Sequence, residues 1–592
     1  MRLFKRLRLY IPVIMSLIAV SALSATTGSP LPPKHEVRAV WLTTIGGLDW
    51  PHSCASSAAT VRRQQRELCG ILDRLKEANV NTVLLQTRIR GTMIYPSAIE
   101  PWDGCLSGTP GVSPGYDALQ FAIDECHKRG MELHAWIVTI PIGRWNALGC
   151  RRVRARHPSM VKKIAGEGYL DPESAETPAY LSSICREITA NYDVDGIHLD
   201  YIRYPETWKP RPEGKRGRSN ITRIVRQVYA TVKALKPWVK VSCSPIGKYC
   251  DLARYDSYGW NAYDKVYQEA QGWLSEGIMD ALFPMMYFRG NQFYPFAFDW
   301  KENSHGRIIS VGLGIYFLSD KEKDWNIDVI KREMNVLRDN GLGHAYFRSK
   351  FFTDNTKGVF DFAKDDIDRY PALIPPMPWQ SATVPTGPER LEVKRLADSD
   401  KLSWHGAKDR SGGPYLTYNI YSSDKYPVDI TDVRNLLAAN LRDSSATVST
   451  VKSGALMNYA VTAVDRYGNE SCPIFTERQP GMALPPQYMA NDGTWLRLPE
   501  KGNTLDAEFV AIETPQGGIV GTRPYDGDRA DISSLPDGVY VLKSLNAKGI
   551  THRLGQFIIK RNKAAGTESK LISERNDNWG TMPRGISRWA DQ

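Results

Sequence analysis

Between residues 37 and 365, short β-rich runs alternate with amphipathic stretches, and this rhythm constrains the fold more than any other feature of the chain. The runs are Val37–Thr44, Thr82–Arg88, Met131–Val138, Gly196–Ile202, Lys240–Ile246, Asp280–Tyr287, Ile308–Tyr316 and Gly343–Arg348. Helical patterns lie between them, such as Arg62–Ala78, Tyr116–Arg129, Pro178–Tyr192, Ser219–Lys236, Ala262–Glu276 and Asn326–Asn340. Eight strand–helix units in about 330 residues predict an α/β fold, a (β/α)8 TIM barrel with insertions. An open doubly wound sheet is the alternative, but the glycine-rich phosphate loop that marks it does not follow the first run.

The barrel is expected to occupy residues 34–370. Residues 371–390 hold Pro371, Pro375, Pro376, Pro378, Pro385 and Pro388, a composition suited to a stiff linker. Alternating runs then follow, among them Lys401-Leu402-Ser403-Trp404, Tyr418-Asn419-Ile420-Tyr421 and Tyr459 to Asp465. This stretch, 391–480, resembles a fibronectin type III β-sandwich, with Trp404 in its core and Tyr459 as a tyrosine corner. Residues 484–561 read as a further small β-sandwich domain, and 562–592 as a flexible polar tail. A composition of 42% hydrophobic and 24% charged residues excludes collagen-like, coiled-coil and wholly disordered chains.

Arg2, Lys5, Arg6 and Arg8 precede the apolar stretch Leu9 to Leu23, and small residues follow. That layout is a secretory signal peptide over residues 1–25. The apolar part is shorter than the ~20 residues of a membrane span, and Pro12 interrupts it. No stable membrane span is expected, and the mature protein is expected in the periplasm, the cell envelope or outside the cell. Removing four positive charges from the formal +11 leaves +7, which suits an anionic partner or surface. Two basic runs add to this: Arg151, Arg152, Arg154, Arg156, Lys162 and Lys163, then Lys209, Arg211, Lys215, Arg216 and Arg218. They read either as solvated loops or as attraction for an anionic glycan. Nucleic acid is not expected, since the chain carries an export signal and no nucleic-acid motif.

Nine cysteines make an odd number, so at least one is unpaired within the chain. With no CxxC and no neighbouring histidine cluster, no metal site and no cofactor are expected. Cys69, Cys126 and Cys185 fall in helical patterns as buried thiols, and Cys54 with Cys105 is a candidate disulfide.

Chemistry in such a barrel belongs at the C-terminal strand ends. In the fourth run Ile197, Leu199 and Tyr201 share one face, and His198, Asp200 and Ile202 the other. The apolar face suits the helices, so His198 and Asp200 point inward, Asp200 near the top. The same parity sends Gln86, Arg88, His134, Trp136, Tyr287, Tyr346 and Arg348 inward. An inward carboxylate among aromatics, arginine and histidine is what glycoside hydrolysis needs. The bland alternative for Asp200 is an ion pair with Arg88 or Arg203, and His198 either orients Asp200 or is a satisfied core histidine.

Several strings resemble the glycosyl-hydrolase-like family ten: Val37 to Thr44 with Leu48-Asp49-Trp50-Pro51, Gln86-Thr87-Arg88, Tyr95-Pro96-Ser97, Glu100-Pro101-Trp102, and Asp195 to Pro205. Ser244-Pro245-Ile246-Gly247 and Gly312 to Tyr316 fit its later strands. The resemblance spans about residues 36–365. It implies a TIM barrel and action on glycan strands, notably peptidoglycan stripped of its peptides. Asp49, inside one shared motif, ranks first as the partner carboxylate of Asp200, and Glu206 second.

The expectation is therefore a secreted glycoside hydrolase for a bacterial polysaccharide, with Asp200 and Asp49 as catalytic carboxylates. Arg88, His134, Trp136, His198, Tyr201, Arg203, Tyr204, Tyr287 and Tyr316 are its expected substrate-binding residues. The rival reading is a non-catalytic glycan-binding scaffold.

Overall fold

The computed structural model describes residues 32–449, 456–477, 489–499, 507–515, 518–546 and 551–559. The expected signal peptide at 1–25 and the tail at 562–592 lie outside these residues. The described residues fall into two compact units, the second holding those from Met489 onward apart from Thr514, Pro515 and Gly518.

The first unit opens with a closed parallel barrel. Its strands are β1 Arg38–Leu42, β2 Thr82–Arg88, β3 Glu132–Val138, β4 Gly196–Asp200, β5 Lys240–Cys243, β6 in two pieces (Ala281–Leu282 and Met285–Met286), β7 Ile308–Leu313 and β8 Gly343–Tyr346. Each pairs in parallel with the next, and β8 closes on β1 through Arg38↔His344. The strand-by-strand expectation holds, with ends trimmed by one to several residues. The break in β6 falls at Pro284, which has no N–H to give the ladder. The principal helices are α1 Ala58–Glu77, α2 Ala118–Lys128, α3 Glu176–Asn191, α4 Gly214–Leu235, α5 Ala270–Ser275, α6 Tyr294–Glu302, α7 Ile327–Asp339 and α8 Ser349–Thr353.

Alternation sorts the strands into two cores. Val40, Leu42, Val83, Leu85, Leu133, Ile137, Ile197, Leu199, Val241 and Val311 face the helices. Ala39, Trp41, Leu84, Trp136, Val138, Ala281, Phe283 and Ala345 fill the barrel interior. Tyr346 departs from its expected inward direction. It lies on the helix side, stacked 4.2 Å from Phe352 and donating its hydroxyl to Asp368. Ala345 is the residue that faces in.

The proline-rich segment is packed rather than free. Leu373 exchanges backbone hydrogen bonds with Lys34 and Glu36. Met377 is fully buried, and the Trp379 indole donates to Asp280 at 2.9 Å. The strands β9 Arg390–Arg395, β10 Ser399–His405, β11 Thr417–Ser423, β12 Leu436–Leu441, β13 Ser445–Ser449, β14 Asn458–Val464 and β15 Ile474–Phe475 then form two antiparallel sheets, β9-β10-β13 and β12-β11-β14-β15. Trp404 is buried between them with Ile420, Tyr459 and Val461. The Tyr459 hydroxyl donates to the Asp400 carboxylate at 2.6 Å, where a tyrosine corner would bond to backbone.

This sandwich meets the N-terminal end of the barrel through ion pairs. Arg466 reaches Asp195 at 2.9 Å and Asp193 at 3.2 Å, and Arg442 also pairs with Asp193. Burial pushes the Asp195 carboxyl up, but the His127 and Arg466 charges beside it outweigh burial and hold it well below the usual carboxylate range.

The second unit contains the sheet formed by β17 Ala507–Glu513, β18 Ile519–Pro524, β20 Gly538–Asn546 and β21 Thr551–Ile559, with the short pair β16 Trp495–Arg497 and β19 Arg529–Asp531. Leu496, Val510, Ile512, Tyr540, Leu542 and Phe557 form its core.

Cys54 and Cys105 are both free thiols, so the expected Cys54–Cys105 disulfide is not formed. Cys126 and Cys185 are buried as expected, and Cys69 is partly exposed.

Candidate active site

Strand β4 ends at Asp200, and the register Val138↔Asp200 sets it beside the end of β3. Its side chain points into the barrel mouth and is 6% exposed. Three donors meet the carboxylate. The Trp136 indole N–H reaches Oδ2 at 3.0 Å, the Ser244 hydroxyl reaches Oδ1 at 2.8 Å, and the Tyr201 backbone N–H reaches Oδ1 at 2.8 Å. Burial nevertheless wins and raises the pKa of Asp200, against the pull of these bonds and of the Arg203 charge. A carboxyl so placed holds its proton to higher pH than a solvated one and remains well supported once it gives the proton up.

Tyr287 completes this end of the site. Its hydroxyl is buried without a hydrogen-bond partner. Burial first, then the Asp200 charge, pushes its pKa well above the usual phenol range. Tyr316 stands edge-on to it at 5.7 Å. Directly after Asp200 the backbone of Tyr201 turns to φ +51°, which breaks strand parity. Its ring stacks on the Arg203 guanidinium at 4.4 Å, and Arg203 pairs with Glu206 at 2.6 Å.

One layer below, His198 is fully buried. Trp41 donates its indole N–H to Nε2 at 3.3 Å, so Nδ1 carries the proton and faces the Ser242 hydroxyl at 3.0 Å. Burial, aided by His134, lowers the pKa of His198 well below its ordinary value and keeps it neutral. It bonds to Trp41 and Ser242 rather than to Asp200. His134 lies lower still, against Glu132 at 3.0 Å, in the space left by Gly196, where a Cβ would sit 2.5 Å from the His134 ring.

Three expected residues are committed elsewhere. The β2–β3 ladder slips between Gln86 and Arg88, so Arg88 pairs with the outward Ile137. The Arg88 guanidinium forks onto Glu100 at 2.9 and 2.7 Å, in a pocket closed by the Tyr180 hydroxyl. Asp49 is buried and accepts from Arg348, from the Lys350 backbone N–H at 3.0 Å, and from both the backbone and the hydroxyl of Thr43. Tyr204 is fully buried, edge-on to Trp208 and Tyr267 at 5.3 Å each, on the helix side.

Ser244 received no role from the sequence, although its inward parity on the extension of β5 was available. At the opposite end of the barrel Glu36, His344 and Asp368 lie close enough to share an ion. Both carboxylates are already neutralised by Arg38 and Arg338.

Residues 36–212 and 214–317 match the family described as glycosyl hydrolase-like 10. The barrel of this chain resembles the glycosyl hydrolase-like 10 family over most of its length. The match takes in Asp200 and Trp136 on their strands, and Ser244 and Tyr287 just past the ends of β5 and β6. Glycosyl hydrolase YngK of Bacillus subtilis is 28% identical over 74% of this chain and 92% of its own length. Glycosyl hydrolase DigH of Escherichia coli is 29% identical over 43% of this chain, and the aligned region covers 66% of DigH. Among solved structures, α-L-fucosidase isoenzyme 2 from Paenibacillus thiaminolyticus aligns with 56% of this chain and 50% of its own at 13% identity, with a TM-score of 0.39. The matched barrel thus carries a buried acid at its mouth and, directly after β6, a buried phenol whose hydroxyl has no hydrogen-bond partner.

Proposed function

We propose that the chain is a glycoside hydrolase that cleaves glycosidic bonds in a bacterial polysaccharide, with peptidoglycan-derived glycan strands as the leading substrate. The observation that carries this reading is Asp200, a buried carboxyl with a raised pKa at the mouth of a glycosyl hydrolase-like barrel. Asp200 protonates the glycosidic oxygen as the bond to the anomeric carbon breaks. The resulting carboxylate is then held by Trp136, Ser244 and the Tyr201 amide, and takes a proton from the incoming water.

Asp49 is engaged by Arg348 and the Lys350 amide, which leaves its oxygens little freedom to attack. A nucleophile supplied by the substrate's own N-acetyl oxygen fits this arrangement, and the unbonded Tyr287 hydroxyl is a donor for it. The N-terminal signal pattern supports export, which would bring the enzyme to envelope glycans.

The test is digestion of purified glycan strands, with and without stem peptides, followed by mass spectrometry of the products. Asp200→Asn should abolish turnover and keep glycan binding. A wild-type protein that binds strands and releases nothing would mark a binding scaffold and end the hydrolase reading.

A further inference from the structure

The segment that follows β5 carries three large aromatic side chains into solvent: Tyr255, Tyr258 and Trp260, which are 39%, 53% and 42% exposed. It is not a loose loop. Leu252 and Ser257 exchange backbone hydrogen bonds. The Asp251 carboxylate accepts from the Gly259 N–H at 3.0 Å and from the Asn261 amide at 3.3 Å. Asn261 is fully buried and caps the helix Ala262–Lys265 through the Asp264 N–H at 2.8 Å. Ser257 donates to the Asn291 carbonyl at 3.0 Å, tying the segment to the connection after β6. Holding apolar rings in water on a fixed backbone is unfavourable, and a cluster of them marks a binding surface.

One of these rings connects to the acid. The Arg203 guanidinium lies 5.6 Å from the Trp260 ring centroid and 4.4 Å from that of Tyr201, the residue after Asp200. Arg203 is 3% exposed, and its buried Nε has no hydrogen-bond partner. The cation stacks against both rings and fixes their orientation.

We propose that Trp260 and Tyr201, bridged by Arg203, form a sugar-stacking subsite beside Asp200 that takes a pyranose ring of the glycan chain. A pyranose offers a C–H face to an aromatic plane and hydroxyls at its edge to a guanidinium. Tyr201 joins this surface to the site, so the bound ring lies next to the bond Asp200 acts on. The inference rests on the hydrolase reading for the identity of the ligand and adds to it the surface that grips the chain.

The experiment measures binding of N-acetylglucosamine dimer and hexamer, and of peptide-free glycan strands, to the full chain carrying Asp200→Asn. Adding Trp260→Ala should weaken hexamer binding about five- to ten-fold, the scale of one aromatic contact, and Trp260→Phe should restore most of it. In the active protein Trp260→Ala should raise KM on long strands with little change in kcat. Bound hexamer should also slow oxidation of Trp260 by N-bromosuccinimide, read by peptide mapping, which needs no variant. Unchanged affinity in the double variant, no hexamer binding, or unslowed oxidation overturns the subsite. Turnover with Trp260-independent affinity removes the subsite alone, whereas Trp260-dependent binding without turnover removes the hydrolase reading alone.

Discussion

Trp136 on β3 donates its indole N–H to Oδ2 of Asp200 on β4 across 3.0 Å. This bond favours the charged carboxylate and so opposes the effect of burial. Trp136→Phe keeps most of the ring and removes the donor, so the pKa of Asp200 should rise further. If Asp200 acts as the acid, the alkaline limb of the pH profile of kcat/KM should move up by up to ~1 unit. An unmoved limb would mean that Asp200 does not set it.

Asp49 and Asp200 differ in their freedom, and activity should show it. Asp200→Asn should lower kcat by at least ~1,000-fold. Asp49→Asn should cost less than about ten-fold in kcat, while loosening the loops that Arg348 and Thr43 hold, seen as a lower Tm. Equal losses in the two variants would restore Asp49 as a chemical participant.

Arg88 and Glu100 are both fully buried and face each other in a bidentate pair. Arg88→Met leaves a buried carboxylate without its cation and should destabilise the chain by roughly 3–5 kcal/mol in urea unfolding. Arg88→Met with Glu100→Gln should recover much of that loss. A single variant of wild-type stability would show that the pair is not structural.

Glu333 on α7 is buried with neither carboxylate oxygen bonded, and burial pushes its pKa up to about 9. The folded chain therefore holds a proton that the unfolded chain loses near the ordinary glutamate value of 4.5. The stability contributed by the protonated group is fully present below that pH and is lost as pH rises through about 9. Glu333→Gln should flatten the fall of Tm between pH 6 and pH 9 and be roughly 2 kcal/mol more stable than the wild type at the alkaline end. Parallel Tm curves would refute this.

The barrel and the end of its fourth strand were legible because period-two patterning survives in parallel strands whenever the interior holds polar side chains. His198 and Asp200 stand out against Ile197 and Leu199 for that reason. The same parity failed at Arg88, where one residue of slip in the ladder turned the guanidinium toward Glu100. It failed again at Tyr346, since the helix side of β8 carries a polar cluster around Asp368 and so imitates an inward face. Tyr201 escaped parity through a positive φ that no residue type announced. Asp49 lay in a motif whose spacing gives no hint of Arg348, a partner 299 residues away. Trp260 sits where aromatics are common and periodicity is silent, so only its exposure beside Arg203 drew it out.

Arg466 belongs to the sandwich, yet the acids it neutralises, Asp193 and Asp195, lead into β4 itself. An isolated barrel would keep those two acids and lose both sandwich arginines, Arg442 and Arg466, that pair with them. The strand that ends in Asp200 is thus anchored at its base by the neighbouring sandwich, and only the barrel and sandwich together keep those charges paired.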